Sequence, residues 1–188
     1  NYAILYAADA VTFSDSDLVN AIDWAYGQSV EIFNHSYGGN YGVGALEAYM
    51  DYMVWVRWTT QVISAGNYPN FSTYRVNNPG CAANAITVGS YTDKNTPGWG
   101  DDSFSWFSCY DDYNGYGGDF NKPDVLGIGE LVTSTSMYSP WMLDGYSGTS
   151  FSAPMVAGVA ADVRKRSGVG FWPEPLRATL LASAAKSL

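Results

Sequence analysis

Short runs of apolar residues alternate along this chain with longer stretches in which apolar positions return every three or four residues. Residues 2–8 form one such short run, read as a buried parallel strand with no turn before it, so the chain is expected to begin inside a fold. Asp15-Ser16-Asp17 offers N-cap groups for a helix over residues 15–26, with Leu18, Ala21, Ile22 and Ala25 on one face and Gly27 closing it. Residues 30–36 follow as a strand ended by Tyr37-Gly38-Gly39, which completes a βαβ unit. Leu46, Tyr49, Met50, Met53 and Val54 place a helix over residues 45–58, and further strands are read at 61–65, 85–89 and 104–108. Residues 122–129 return the chain to the sheet. The last helix is predicted over 174–184, with Pro175 in its first turn and Leu176, Thr179, Leu180 and Ser183 inward.

Between these lies Gly148 and the run that follows it. A helix is predicted to begin at Ser150, because Ala153, Val156, Ala157, Val159, Ala160 and Ala161 recur at helical spacing and suit close packing. Pro154 is placed in the first turn, where a missing N–H loses no bond. A hydroxyl at such a helix start sits beside unpaired backbone donors and the positive end of the dipole, so negative charge forming there is stabilised. The same pattern also suits a serine that merely caps a buried helix.

The alternation of strands and helices implies an α/β fold with a mainly parallel sheet flanked by helices, and no repeat or linker divides the 188 residues. No run of 18 apolar residues is present, so no membrane partner is expected. A net charge of −9 without a basic patch argues against nucleic acid as a partner. Cys81 and Cys109 flank two strands and a loop, and the sequence leaves a disulfide and two separate buried thiols equally open. The acidic pairs Asp101-Asp102 and Asp111-Asp112 are read as solvated surface rather than calcium ligands.

Gly148-Thr149-Ser150-Phe151-Ser152-Ala153-Pro154 resembles the nucleophile motif of the subtilisin-like serine proteases, Gly-Thr-Ser-x-(Ser/Ala)-x-Pro. It is not the Gly-x-Ser-x-Gly elbow of α/β-hydrolases, since Ser152 stands where the second glycine belongs. Ser36-Tyr37-Gly38-Gly39 resembles that family's substrate-binding Ser-Leu-Gly-Gly, and Ser64-Ala65-Gly66-Asn67 its Ala-Ala-Gly-Asn oxyanion segment. Residues 19–25, 85–89 and 122–125 match further landmarks, with Gly127-Ile128 where Ala-Pro is usual. The resemblance implies a three-layer subtilisin-like fold lacking its N-terminal strands, as a single partial peptidase domain over residues 1–188.

It also implies roles. Ser150 would be the nucleophile and Asn67 an oxyanion donor beside the backbone N–H of Ser150. Ser36, Tyr37, Gly38, Ser64, Ala65, Gly66 and Thr149 would bind an extended peptide by strand addition. Tyr37 and Tyr68 would narrow the pocket, which suggests a preference for aromatic or large apolar side chains. The family's Asp-(Ser/Thr)-Gly and His-Gly-Thr motifs do not occur in this sequence. The only histidine, His35, lies in a strand the family does not use for catalysis, and is rejected as the general base. A serine hydroxyl without a base is a weak nucleophile.

The expectation is therefore a serine endopeptidase whose Asp and His come from a segment outside this chain, which alone would be inactive. Its partners would be a protein or peptide substrate and that missing N-terminal part. No cofactor is needed for the chemistry, structural calcium is left open, and an extracellular or cell-surface location is expected. The alternative is an inactive module of the same fold that binds extended peptides. Serine-carboxyl peptidases share Gly-Thr-Ser but use an oxyanion Asp, so Asn67 argues against them.

Overall fold

The computed structural model describes residues 14–39, 44–67, 75–110, 121–136, 141–168 and 172–184; the strand predicted at residues 2–8 lies outside them. Helix α1 (Asp15–Gly27) is capped one residue earlier than predicted. The Ser14 hydroxyl accepts the Asp17 N–H at 3.3 Å while Ser14 N–H donates to the Asp17 carboxylate at 2.9 Å. Strand β1 (Ile32–His35) then leads to helix α2 (Ala45–Trp55) and strand β2 (Thr60–Ser64). Helix α2 stops three residues short of Trp58. The N–H and hydroxyl of Thr59 turn back onto the Met53 carbonyl at 3.1 and 2.7 Å, and Trp58 takes a left-handed φ of 55° to allow it.

Strand β3 (Ile86–Thr92) runs past Gly89, which the sequence reading took as its end. A Cβ on Gly89 would lie 2.7 Å from Leu126 and 2.8 Å from Pro123, so this glycine admits a neighbouring strand rather than a turn. The extension of β3 pairs antiparallel with β4 (Ser103–Phe104), shorter than predicted because the chain turns at Trp106-Phe107. Strand β5 (Val125–Ile128) pairs parallel with β3, and β1, β2 and β3 are parallel neighbours in that order. Strands β6 (Val132–Thr135) and β7 (Met142–Tyr146) form a separate antiparallel hairpin. The apolar pattern gives no sign of it: β7 is exposed along its whole length, so its two faces do not differ.

Helix α3 (Thr149–Ser167) begins one residue before Ser150, with Gly148 as its N-cap. The reading of Ser150 as a capping serine is thereby excluded. Pro154 stands inside the helix rather than at its start. Helix α4 (Pro173–Ser183) buries Leu176 and Leu180, but Thr179 is exposed and donates its hydroxyl to the Pro175 carbonyl at 2.8 Å. Ser183 likewise donates to its own helix, at the Leu180 carbonyl.

The period of two along the strands sorts the sheet's faces. Phe33 and Ile63 pack with Leu18, Ile22 and Ala25 of α1 and Leu46, Met50 and Met53 of α2. Val62, Ile86 and Val88 pack with Ala153, Val156 and Ala160 of α3 and Leu176 and Leu180 of α4. The layers are thus helices, sheet and helices, as the α/β reading requires. Helix α3 is buried on one flank only: Met155 and Val159 are 43% and 53% exposed.

A buried charged group ties α4 to the sheet. Asp124 accepts from Lys122 Nζ and from Thr87 N–H, both at 2.7 Å, and from the Arg177 guanidinium. Lys122 also reaches the Ala85 carbonyl at 2.8 Å, and Arg177 the Ala83 carbonyl at 2.8 Å. Burial pushes the Lys122 ammonium toward its neutral form and Asp124 opposes this. Removing one partner of a buried pair strands the other. Lys122→Met is therefore expected to cost about 3 kcal/mol, read as a lower urea midpoint; an unchanged midpoint would refute the assignment.

Candidate active site

The carboxyl ends of parallel strands are where an α/β sheet offers side chains to a ligand. Ser36 follows β1, Gly66 and Asn67 follow β2, and the N-terminus of α3 meets both. The contact between Ser36 and Ser150 is reciprocal: Ser36 Oγ donates to the Ser150 carbonyl at 3.0 Å, and Ser150 Oγ donates to the Ser36 carbonyl at 3.3 Å. Pro154 explains why that carbonyl is open. In an α-helix the carbonyl of residue 150 would accept the N–H of residue 154, and proline has none. The motif's proline thus releases an acceptor that docks the helix onto the chain leaving β1.

Asn67 is fixed by its oxygen. Its Oδ1 accepts the Thr149 N–H at 2.8 Å and the Thr149 hydroxyl at 3.0 Å, and Thr149 Oγ1 in turn accepts the Gly66 N–H at 3.2 Å. A backbone N–H needs an acceptor, so the amide orientation follows and its NH2 points the other way. A Cβ on Gly148 would lie 3.1 Å from Asn67 Nδ2, so a glycine there lets the amide lie against the start of α3. The Ser150 N–H is among the first donors of that helix, which have no intrahelical acceptor. From behind, Ser108 forms an antiparallel bridge with Asn67, and Cys109 N–H donates to the Gly66 carbonyl at 3.1 Å. Gly66 itself has φ of 104°, a conformation that favours glycine.

The remaining predicted site residues divide. Ser64, Ala65 and Gly66 are buried at the end of β2, and Gly38 is exposed beside Ser36 and Tyr37. Thr149, grouped by sequence with the substrate-binding residues, is fully buried with its hydroxyl committed to Asn67 and Gly66, so it acts as a support. Tyr37 turns its ring to the α1/α2 face, opposite Ser150. Its hydroxyl meets His35 Nδ1 at 3.0 Å, His35 Nε2 meets Gln61 Oε1 at 2.6 Å, and Gln61 Nε2 donates to the Thr59 hydroxyl at 2.7 Å. The polarity of this chain is set at its end, where Thr59 donates to the Met53 carbonyl. His35 therefore carries its proton on Nε2 and accepts from Tyr37. It is on the wrong face for Ser150, and burial holds its pKa down at about 4. Tyr68 lies outside the described residues.

Asn77 was not singled out by sequence, because Asn77-Asn78-Pro79-Gly80 reads as an ordinary turn. It stands between the two strand ends: its N–H donates to the Ala65 carbonyl at 2.9 Å, and the next residue's carbonyl accepts the Gly39 N–H at 2.8 Å. Cys81 and Cys109 are both buried in one cluster with Ala65 and Val76, and the Cys81 thiol donates to the Val76 carbonyl at 3.0 Å. Burial raises the Cys109 thiol to about 11. Asp101 accepts the Thr96 hydroxyl at 2.8 Å, and Asp111 and Asp112 lie outside the described residues. Among the described residues no three His, Cys, Asp or Glu side chains converge to hold a metal, and no helix is long and apolar enough to cross a membrane.

A model of the Subtilase family matches residues 3–188. The chain belongs to the subtilase family. Thermitase from Thermoactinomyces vulgaris is 33% identical over 143 residues, covering 76% of this subtilase chain and 43% of thermitase. An extracellular protease from Xanthomonas campestris pv. campestris is 30% identical over 92% of the chain and 29% of its own length. Subtilisin NAT from Bacillus subtilis subsp. natto is 27% identical over 85% of the chain and 38% of its own length. The chain therefore spans less than half the length of these relatives. The fold agrees with solved structures: a psychrophilic protease, S41, superposes with a TM-score of 0.75 at 23% identity over 94% of this chain and 57% of its own. A cold-adapted subtilisin-like proteinase gives 0.69 at 24% identity over 92% and 56%.

Two outcomes follow from the site's geometry. Ser36→Ala leaves the Ser150 carbonyl without a donor and is expected to cost about 1–3 kcal/mol; adding Pro154→Ala restores the helical donor and recovers part of that loss. A urea-denaturation cycle over the four proteins checks this, and strictly additive effects would contradict it. For His35 the unfolded chain, with pKa 6.5, binds a proton that the folded chain, at about 4, refuses. Stability is then full above pH 6.5 and falls by roughly 3 kcal/mol as pH drops to 4. His35→Phe should flatten that part of the profile, and equal slopes in both proteins would count against it.

Proposed function

We propose that this chain is the nucleophile-bearing part of a secreted subtilisin-like serine endopeptidase, forming one partial peptidase domain. The observation that carries the reading is the meeting of Asn67 with the start of α3 from 82 residues away, its amide oxygen held by Thr149. That leaves the Asn67 NH2 and the Ser150 N–H as two donors at one helix N-terminus. Ser150 Oγ would attack the carbonyl carbon of a peptide bond; the C=O π pair moves to oxygen, and the resulting oxyanion accepts from these two donors. Collapse breaks the C–N bond as the nitrogen takes up the proton removed from Ser150 and leaves as the amine; the acyl-serine that remains is hydrolysed by water, which returns a proton to Ser150 Oγ. The reaction so written uses side chains and backbone donors alone.

The proton of Ser150 needs a base. With His35 committed on the far face, an Asp–His pair from a segment outside this chain would supply it. The length of the relatives supports this, as does the uncovered flank of α3, where Met155 and Val159 lie one to three turns from Ser150. Peptide substrate would add as a strand along 36–38 and 64–66. Secretion is favoured by the name of the Xanthomonas relative, an extracellular protease.

The test is covalent labelling of the complete protein with a fluorophosphonate. A mass adduct mapped to Ser150 and lost in Ser150→Ala is the expected result; a folded sample that stays unlabelled would sink the reading and leave the inactive peptide-binding module. Asn67→Leu should lower turnover about 10²–10³-fold without abolishing it, a magnitude taken from subtilisin's own oxyanion asparagine rather than derived from this geometry.

A further inference from the structure

The end of the molecule opposite the cleft carries tryptophans that the fold does not explain. The chain enters β1 and β2 from helices, so α1 and α2 end where those strands begin, and α3, which starts at the cleft, ends there too. Arg164 near the end of α3 accordingly pairs with Glu31, just before β1. Trp55, Trp58 and Trp172 are each more than half exposed at this end, and Val56 beside them is also exposed. The Trp58 and Trp172 rings lie against one another with centroids 5.0 Å apart.

Both of those positions suit other residues better. Trp58 has a left-handed φ of 55° just past α2, where glycine is favoured. Trp172 is the N-cap of α4 and gives it no side-chain bond, where Ser, Thr, Asp or Asn would. Two exposed indoles held at helix ends against local preference form a surface kept for contact rather than for folding. A sugar platform has no use for the exposed Val56, whereas a lipid surface takes aliphatic and indole side chains alike.

Charge selects the kind of lipid. At the surface of this end Arg57, Arg164, Lys165 and Arg166 are matched in number by Asp23, Glu31, Asp162 and Glu174. The chain's net charge of −9 therefore lies elsewhere. Asp93, Asp101 and Asp102 follow β3 and Glu130 follows β5, which puts part of it at the cleft end. Near an anionic surface such a molecule turns its acidic end away, and Lys165 and Arg166 meet the headgroups.

We propose that residues 55–58 and Trp172 form a peripheral docking site for an anionic membrane, with the cleft held away from the lipid. The expectation of no membrane partner rested on the lack of a long apolar run, and docking of this kind needs no spanning helix. The proposal does not depend on peptide cleavage at Ser150.

The experiment is co-sedimentation of the complete protein with vesicles of phosphatidylcholine alone and of phosphatidylcholine mixed equally with phosphatidylglycerol. Binding is expected to the mixed vesicles and is weakened by high salt. Trp58→Gly and Trp172→Ser should each weaken it about tenfold. Their urea midpoints should be unchanged or higher, since each new residue suits its backbone position. Lys165→Glu combined with Arg166→Glu should also weaken binding. No vesicle binding, equal binding to phosphatidylcholine alone, or binding unmoved in both tryptophan variants overturns the proposal. Urea midpoints lowered in both variants overturn it too, because the pair then belongs to the fold. Retention on an insoluble polysaccharide in place of vesicles, or a dimer lost on Trp58→Gly, overturns it in favour of a sugar or a second copy.

Discussion

The paired contact between Ser36 and Ser150 joins the two halves of this site, and it exists because residue 154 is a proline. A helix interior normally keeps its carbonyls for itself, so nothing outside can be fastened to them without loss. Here the missing N–H of Pro154 leaves the Ser150 carbonyl to the Ser36 hydroxyl, at the turn where the proposed nucleophile stands. The cost usually attached to proline inside a helix is offset where the vacated acceptor finds a donor. The orientation of α3 against β1, and with it the approach of Thr149 to Asn67, depends on that exchange.

A second constraint is the division of the sheet into faces. Strand alternation sends Ser36 toward α3 and sends His35 and Tyr37 toward α1 and α2. One residue of shift would exchange them, which is why the chain's only histidine cannot serve the nucleophile despite lying next to Ser36 in sequence. On its own face His35 does structural work as a neutral link, passing hydrogen bonds in one direction from Tyr37 to Gln61 and Thr59. Such a chain is stable only if every member is satisfied, and desolvation that disfavours the imidazolium keeps it so.

Much of this was legible in the sequence, for reasons that separate cleanly. The buried helices and parallel strands show up because their apolar periodicities differ, whereas Gly148-Thr149-Ser150 and Ser64-Ala65-Gly66-Asn67 stand out only by their resemblance to subtilisin-like motifs, since the same residues alone also suit a helix cap and a turn. The hairpin β6–β7 did not show, since exposure on both faces removes alternation. Gly89 misled as a terminator because a glycine that admits a neighbour's side chain looks the same in one dimension as a glycine that turns. Pro154 was read as part of a helix start, and Asn77 drew no reading at all. Their roles depend on what lies across from them, Ser36 in one case and Ala65 in the other, and local sequence carries no trace of such pairs.

The two functions of the site differ in what they require of the chain. Oxyanion donors of the proposed reaction must be rigid beforehand, and the bonds described around Asn67 serve that need: Thr149 from the helix, Gly66 beside it, Ser108 behind. Preorganised dipoles of this kind need no further reorganisation when charge develops. The proposed nucleophile is different, because its reactivity would require a proton acceptor, and Ser150 Oγ donates to the Ser36 carbonyl over a long 3.3 Å. A peptide carbonyl is far too weak a base to deprotonate an alcohol, so this contact holds the hydroxyl without activating it. A base that approaches must displace only this weak bond, while the stronger Ser36 Oγ contact to the Ser150 carbonyl keeps the helix seated. On the proposed reading, holding the serine and activating it are separate tasks, and the contacts described at Ser150 perform the first.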